Sequence, residues 1–149
     1  MNIARHLERL AGPRTALVEP TGRQCSFAEL QERCERLAGG LQDLGLEPGE
    51  RVLLLVPMSI PLYESLIALF RAGLPVVLLD PSAPAVDENL RRVGLSAFIG
   101  SPMAQLLRLK HAPLRGLKRY LSAGFVLLPH RNLDRVRGPV RDLVDMDPE

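Results

Sequence analysis

The stretch RVLLLVPMSIPLYESLIALFRAGLPVVLLDP at 51–81 constrains this chain more than any other, because it sets one helix between two buried strands and marks each joint with a stop signal. Residues 52–56 are continuously apolar with no alternation, the pattern of a parallel strand covered on both faces, and Pro57 ends the run. Ser59 is placed to cap a helix, and Pro61 falls in the first turn, where a missing N–H costs nothing. Leu62, Leu66, Leu69 and Phe70 recur at helical spacing until Gly73 closes the helix. Residues 76–79 are a second apolar run. Two buried strands joined by a helix of this length predict a right-handed crossover in a parallel sheet, and so an α/β fold.

The flanking sequence extends that unit in both directions. Ile3, Leu7 and Leu10 predict a short amphipathic helix that Gly12-Pro13 ends, and residues 15–19 and 24–26 predict a small hairpin around the turn PTGR. SFAE at 26–29 reads as a capping box, with the Ser26 hydroxyl and the Glu29 carboxylate each satisfying an orphan N–H. The helix it starts carries Phe27, Leu30, Cys34, Leu37, Leu41 and Leu44 on one face. Gly39-Gly40 inside it lowers helix propensity by roughly 1 kcal/mol per glycine relative to alanine, which predicts a close approach of this helix to the sheet. Downstream, residues 87–93 predict a second crossover helix, 97–99 a third strand, 103–109 a further helix, and 118–121 and 125–128 possible strands in a segment broken by Pro and Gly.

The order implies a three-layer, Rossmann or flavodoxin-like parallel sheet: helix plus hairpin at 1–26, βαβ core at 27–109 and an irregular basic segment at 110–149. At 149 residues with 46% hydrophobic content, one core is expected. The N-terminus has no apolar stretch of the secretory type, and no run approaches the roughly 20 apolar residues of a membrane span, so a cytoplasmic protein is expected.

Charge is distributed unevenly behind a net value of +2. Between Asn89 and Leu133 there is no Asp or Glu, while Arg91, Arg92, Arg108, Lys110, Arg115, Lys118, Arg119 and Arg131 are basic. This tract is either a solvated basic face or an attractor for an anion such as a phosphorylated cofactor, a nucleic acid or an acidic lipid surface. Nucleic acid is disfavoured, because only Phe98, Tyr120 and Phe125 could stack on bases. Phosphate loops of the GxxxxGK[ST] and GxGxxG types and the GxSxG elbow are absent. His6, His111 and His130 read as surface residues, and Cys25 and Cys34 as small, reduced core or surface residues rather than metal ligands or a disulfide. Asp80 follows a strand at the edge where open α/β sheets bind ligands, but Pro81-Ser82 after it favours a carboxylate bonded to its own turn.

CSFAEL at 25–30, GLEPGER at 45–51, PMS at 57–59 and LFRAGLPVVLLDP at 69–81 together resemble the opening of the AMP-forming acyl-CoA synthetase, or adenylate-forming, superfamily. The likeness covers about two-thirds of the chain, to near Leu107. It looks closest to the subgroup of olefin-pathway β-lactone synthetases and fatty-acyl ligases. Met58, where many relatives have Asn, and Leu74-Pro75 depart from the usual pattern. The resemblance implies a two-step reaction in which ATP and a carboxylate, here a fatty acid, give an acyl-adenylate and pyrophosphate, followed by transfer to a thiol such as CoA or to an internal hydroxyl. It implies ATP, Mg2+ and CoA for a parent enzyme.

The family's Ser/Thr/Gly-rich loop with its lysine, its aromatic-x-Thr-Glu segment, its TGD aspartate and its C-terminal lysine are not in these 149 residues. VDMDPE at 144–149 resembles the lead-in to the strand before that loop. The expectation is therefore an N-terminal portion of a ligase: catalytically incompetent by itself, with no catalytic, metal or cofactor residue of its own beyond Arg108 as a candidate contact for the nucleotide end of CoA. Its expected partners are the remainder of the ligase and, in isolation, a second copy of itself covering an incomplete sheet. The alternatives are a stand-alone α/β binding or scaffold module and a small flavodoxin-like enzyme using Asp80 and the basic tract.

Overall fold

The computed structural model describes residues 2–10, 12–124, 128 and 131–144. Helix α1 (Arg5–Leu10) leads into an antiparallel hairpin of β1 (Thr15–Val18) and β2 (Gln24–Ser26). Helix α2 (Phe27–Asp43) begins as its sequence predicts: the Glu29 N–H donates to the Ser26 hydroxyl at 3.2 Å, and the Ser26 N–H to the Glu29 carboxylate at 2.8 Å. That backbone hydrogen bond, joined by one from the Ser26 hydroxyl, holds the Glu29 carboxyl below its ordinary range.

The 51–81 unit forms β3 (Arg51–Leu55), α3 (Ile60–Arg71) and β4 (Val76–Val77). Gly73, just past the end of α3, has φ +67°, a left-handed conformation that strains other residues. Then follow α4 (Val86–Val93), β5 (Leu95–Gly100), the short helices α5 (Pro102–Gln105) and α6 (Leu107–Lys110), β6 (Arg119–Ser122) and β7 (Arg131–Asn132). The sheet order is β4-β3-β5-β6-β7, parallel throughout. From β3 the chain first steps outward to β4 and then back across β3 to β5, the doubly wound order of flavodoxin-like sheets.

Alternate residues of the strands feed two cores. Val52, Leu54, Ala97, Ile99 and Leu121 pack with Leu37, Leu41, Ala68 and Leu69 of α2 and α3. Leu53 and Phe98 pack on the opposite face with Val86, Leu90 and Leu114. Three layers result, and Val52 and Leu53 are wholly buried. A third cluster joins the hairpin to the helices through Cys25, Leu30, Cys34 and Ile60.

Several expectations need correction. The run 76–79 is a strand only at Val76–Val77, because the turn at Asp80 draws residues 78 and 79 off the ladder and leaves Leu78 exposed. The helix expected at 103–109 is broken at Leu106: the Gln105 amide anchors to the Leu121 carbonyl at 2.8 Å, and a separate turn begins at Leu107. Gly39-Gly40 faces a different neighbour from the sheet. Residues 136–144 run as a strap over α2 and α3, and a Cβ at Gly39 would lie 2.0 Å from the Pro139 carbonyl oxygen. The Gly138 N–H donates to the Arg36 carbonyl at 2.8 Å and the Val144 N–H to the Arg71 carbonyl at 3.0 Å, while Arg137 pairs with Glu64 and Arg141 with Asp43. In β3 itself, Val52, Leu53 and Leu54 are buried. Of the possible strand at 125–128, residues 125–127 lie outside the described residues, as do His130 and residues 145–149.

Candidate functional site

In an open α/β sheet, ligands bind beyond the carboxyl ends of the strands, where the strand order reverses. Here that place lies between β3 and β5. Beside it, on the β4 side, four elements converge: the end of β3 at Val56-Pro57, the start of α3, residues 78–79 after β4, and Ser101 after β5. The ladder between β3 and β4 stops at the pair Leu53↔Val77, so the chains diverge beyond it. The gap is an open groove of about 410 Å³, lined by Val56, Pro57, Leu62, Leu66, Leu78 and Leu79 with Ser101 at the rim. Exposed Met58, Leu78 and Met103 follow the ends of β3, β4 and β5, so three adjacent strands each finish in a large apolar side chain in solvent.

The helix termini at this edge already have partners. The N-terminus of α3 is the first one a phosphate would meet after β3, yet its Ile60 N–H donates to the Glu19 carboxylate of the hairpin at 2.7 Å and its Leu62 N–H to the Ser59 hydroxyl. A carboxylate of the protein thus holds the anion position. At α5 the Ser101 hydroxyl takes the Ala104 N–H. Asp80 bonds its own turn, as its sequence context predicts: the Ser82 hydroxyl and N–H donate to it at 2.6 and 2.8 Å and hold its carboxyl below the ordinary range.

The basic tract lacks acids in sequence but not in space. Arg92 pairs with Glu88 at 2.7 Å and Lys118 with Glu50 at 3.1 Å, and Arg115 donates to the carbonyls of Arg108 and Leu109. Arg108 lies with its guanidinium 3.5 Å from the centre of the Tyr120 ring, on the α4 side of the sheet and away from the groove. His111 corrects its reading as a surface residue. It is buried, its Nδ1 is 2.6 Å from Asp87, and it ties the turn after α6 to α4. His6 is exposed, as expected. Cys25 and Cys34 are free, buried thiols, and desolvation raises both pKa values. No group of three or more His, Cys, Asp or Glu among the described residues is arranged to hold a metal.

Sequence reading missed Glu64 and Arg71. Both are buried, Glu64 against Arg137 and Arg71 against Glu8 and Glu35. A signal existed: Glu64 stands four residues from Ile60 and from Ala68, on the apolar stripe of α3. It missed Glu19 as well, because nothing local links a hairpin residue to a helix start 41 positions away.

The strand order and the ligand edge define a doubly wound α/β domain. The chain belongs to the AMP-binding enzyme family, whose sequence model matches residues 4–121. It is 37% identical over 129 residues to an olefin beta-lactone synthetase of Xanthomonas campestris pv. campestris, covering 75% of this chain and 23% of that protein. With the salicyl-AMP ligase / salicyl-S-ArCP synthetase of Mycobacterium tuberculosis it shares 39% identity over 101 residues, 60% of this chain and 18% of the other. A benzoate CoA ligase from Burkholderia xenovorans has the same fold, with TM-score 0.78 and 24% identity over 99% of this chain and 31% of its own. The chain spans about a quarter or less of the length of these curated relatives. No helix among the described residues is long and apolar enough to cross a membrane.

Proposed function

We propose that this chain is the N-terminal part of the large domain of an ATP-dependent, AMP-forming carboxylate ligase, with a fatty acid as the carboxylate. It serves as scaffold: it supplies a rigid three-layer wall and no catalytic residue. The observation that carries this reading is the family match combined with an edge whose leading helix terminus is already filled by Glu19. A segment that seals its own anion site leaves the triphosphate, with Mg2+ and the acceptor CoA, to the rest of a ligase. Met58, Leu78 and Met103 then form the face on which that remainder packs, since exposed large apolar groups in a row mark a contact surface. In isolation a second copy is the available cover. Arg108, stacked on the Tyr120 ring, stays a candidate CoA contact.

The test is a carboxylate-dependent exchange of labelled pyrophosphate into ATP, run on the complete product of the gene. Exchange with a fatty acid is expected, together with a Thr/Ser/Gly-rich, lysine-bearing loop encoded after this segment. A gene product without such a loop and without exchange on any carboxylate would make the chain a stand-alone binding module.

A further inference from the structure

We infer that the far end of the strap and helix α1 form one latch, pinned by Asn2 on the last turn of α3, that opens as a unit while the near end of the strap stays on α2. The last carbonyls of a helix have no partner within it. At the end of α3 two of them are taken by distant segments: the Phe70 carbonyl accepts from the Asn2 side-chain amide, and the Arg71 carbonyl accepts the Val144 N–H at 3.0 Å. The Asn2 amide also donates to the Val144 carbonyl at 2.6 Å, and the Arg71 guanidinium pairs with Glu8 of α1. One helical turn is thus shared by the start of the chain and the end of the strap. Val144 packs beside it on Gly73, where a Cβ would lie 2.8 Å from a valine methyl.

The two ends of the strap are held with different strength. At the near end Val136 is buried in the main core, Arg137 pairs with the buried Glu64, and the Gly138 N–H is bonded to the Arg36 carbonyl. Residues 140–143 have no such anchor: none of them is buried, and they border a charged cleft of about 420 Å³ shared with Arg5, Glu8 and Arg71. The Arg141–Asp43 pair is half exposed on both sides, and such pairs contribute little. Helix α1 is no firmer, since it has six residues, too few to persist alone in water, and buries none of them. The strap end and α1 therefore depend on each other through Asn2 and Arg71, and opening starts where burial is least. Coupling of this kind is reciprocal. A partner that draws Val144 away from α3 also undocks α1, and one that captures α1 also frees the strap end. The inference concerns the fold of this chain and stands apart from the ligase reading.

The experiment is amide hydrogen exchange on the 149-residue chain, followed by NMR under cold, mildly acidic conditions in which weakly protected amides are still resolved. In the unaltered chain the amides of Val144, His6 and Leu7 should share one opening free energy and one denaturant slope, below those of Gly138 and of Phe98 in β5. Asn2→Ala should speed exchange at Val144 and Leu7 by the same factor, about tenfold for the two hydrogen bonds lost. Val144→Pro, which removes the N–H on the strap side, should speed His6 and Leu7 by a similar factor. Gly138 and Phe98 should not change in either variant, and their protection confirms that the variants are folded. If either variant fails to fold, the shared opening energy and slope in the unaltered chain still decide. Different opening energies or slopes at Val144 and Leu7, α1 amides indifferent to Val144→Pro, or Gly138 opening together with Val144 would each overturn the inference.

Discussion

Gly39 shows how a single residue serves the tertiary structure against its local preference. In an exposed helix interior, alanine would be better than glycine by about 1 kcal/mol. Here a Cβ would stand 2.0 Å from the Pro139 carbonyl oxygen, a backbone atom with no flexible end to move aside. Forcing it in costs about 1–3 kcal/mol, so the steric term wins. Gly39→Ala should therefore lower the thermal midpoint and raise hydrogen exchange at the Gly138 amide, which is bonded to the Arg36 carbonyl. An unchanged or higher midpoint would show that the strap does not hold α2 tightly. The Gly-Gly pair was readable in the sequence as a close approach, but its partner was not, because only the folded path of 136–144 brings Pro139 there.

At the scale of elements, the strap, α2 and α3 are held together by ion pairs as well as backbone bonds. Glu64 is 2% exposed and its partner Arg137 keeps 26% of its side-chain surface in water. Removing the arginine leaves a buried carboxylate without its cation, so Arg137→Met should cost about 3 kcal/mol, the low end for breaking a buried pair because of that residual exposure. Replacing both, Glu64→Met with Arg137→Met, should recover most of the loss, and chemical denaturation of the single and double variants measures it. Equal losses in both would mean that Arg137 acts through its bond to the Arg33 carbonyl instead. Elements with strong local signals were legible beforehand: the capping box of α2, the proline-bounded β3 and the glycine-closed α3 all form where their residues place them. Elements set by distant contacts were not. The break between α5 and α6 depends on Gln105 reaching β6, and the length of β4 on the turn at Asp80.

For the whole molecule, the sequence conveyed the family through ordered motifs and the fold through alternating strands and helices. It did not convey the groove, which arises from two strands ending at different heights, nor the Glu19 carboxylate on the start of α3. Those two features define the role ascribed to this chain: a wall with an apolar edge that leaves phosphate binding to another part of a ligase. Titration calorimetry of the chain with Mg-ATP tests that claim most directly. The account predicts no saturable heat and no pyrophosphate release with any fatty acid, for a protein whose circular dichroism shows it folded. Micromolar ATP affinity, or pyrophosphate released by this chain alone, would contradict it.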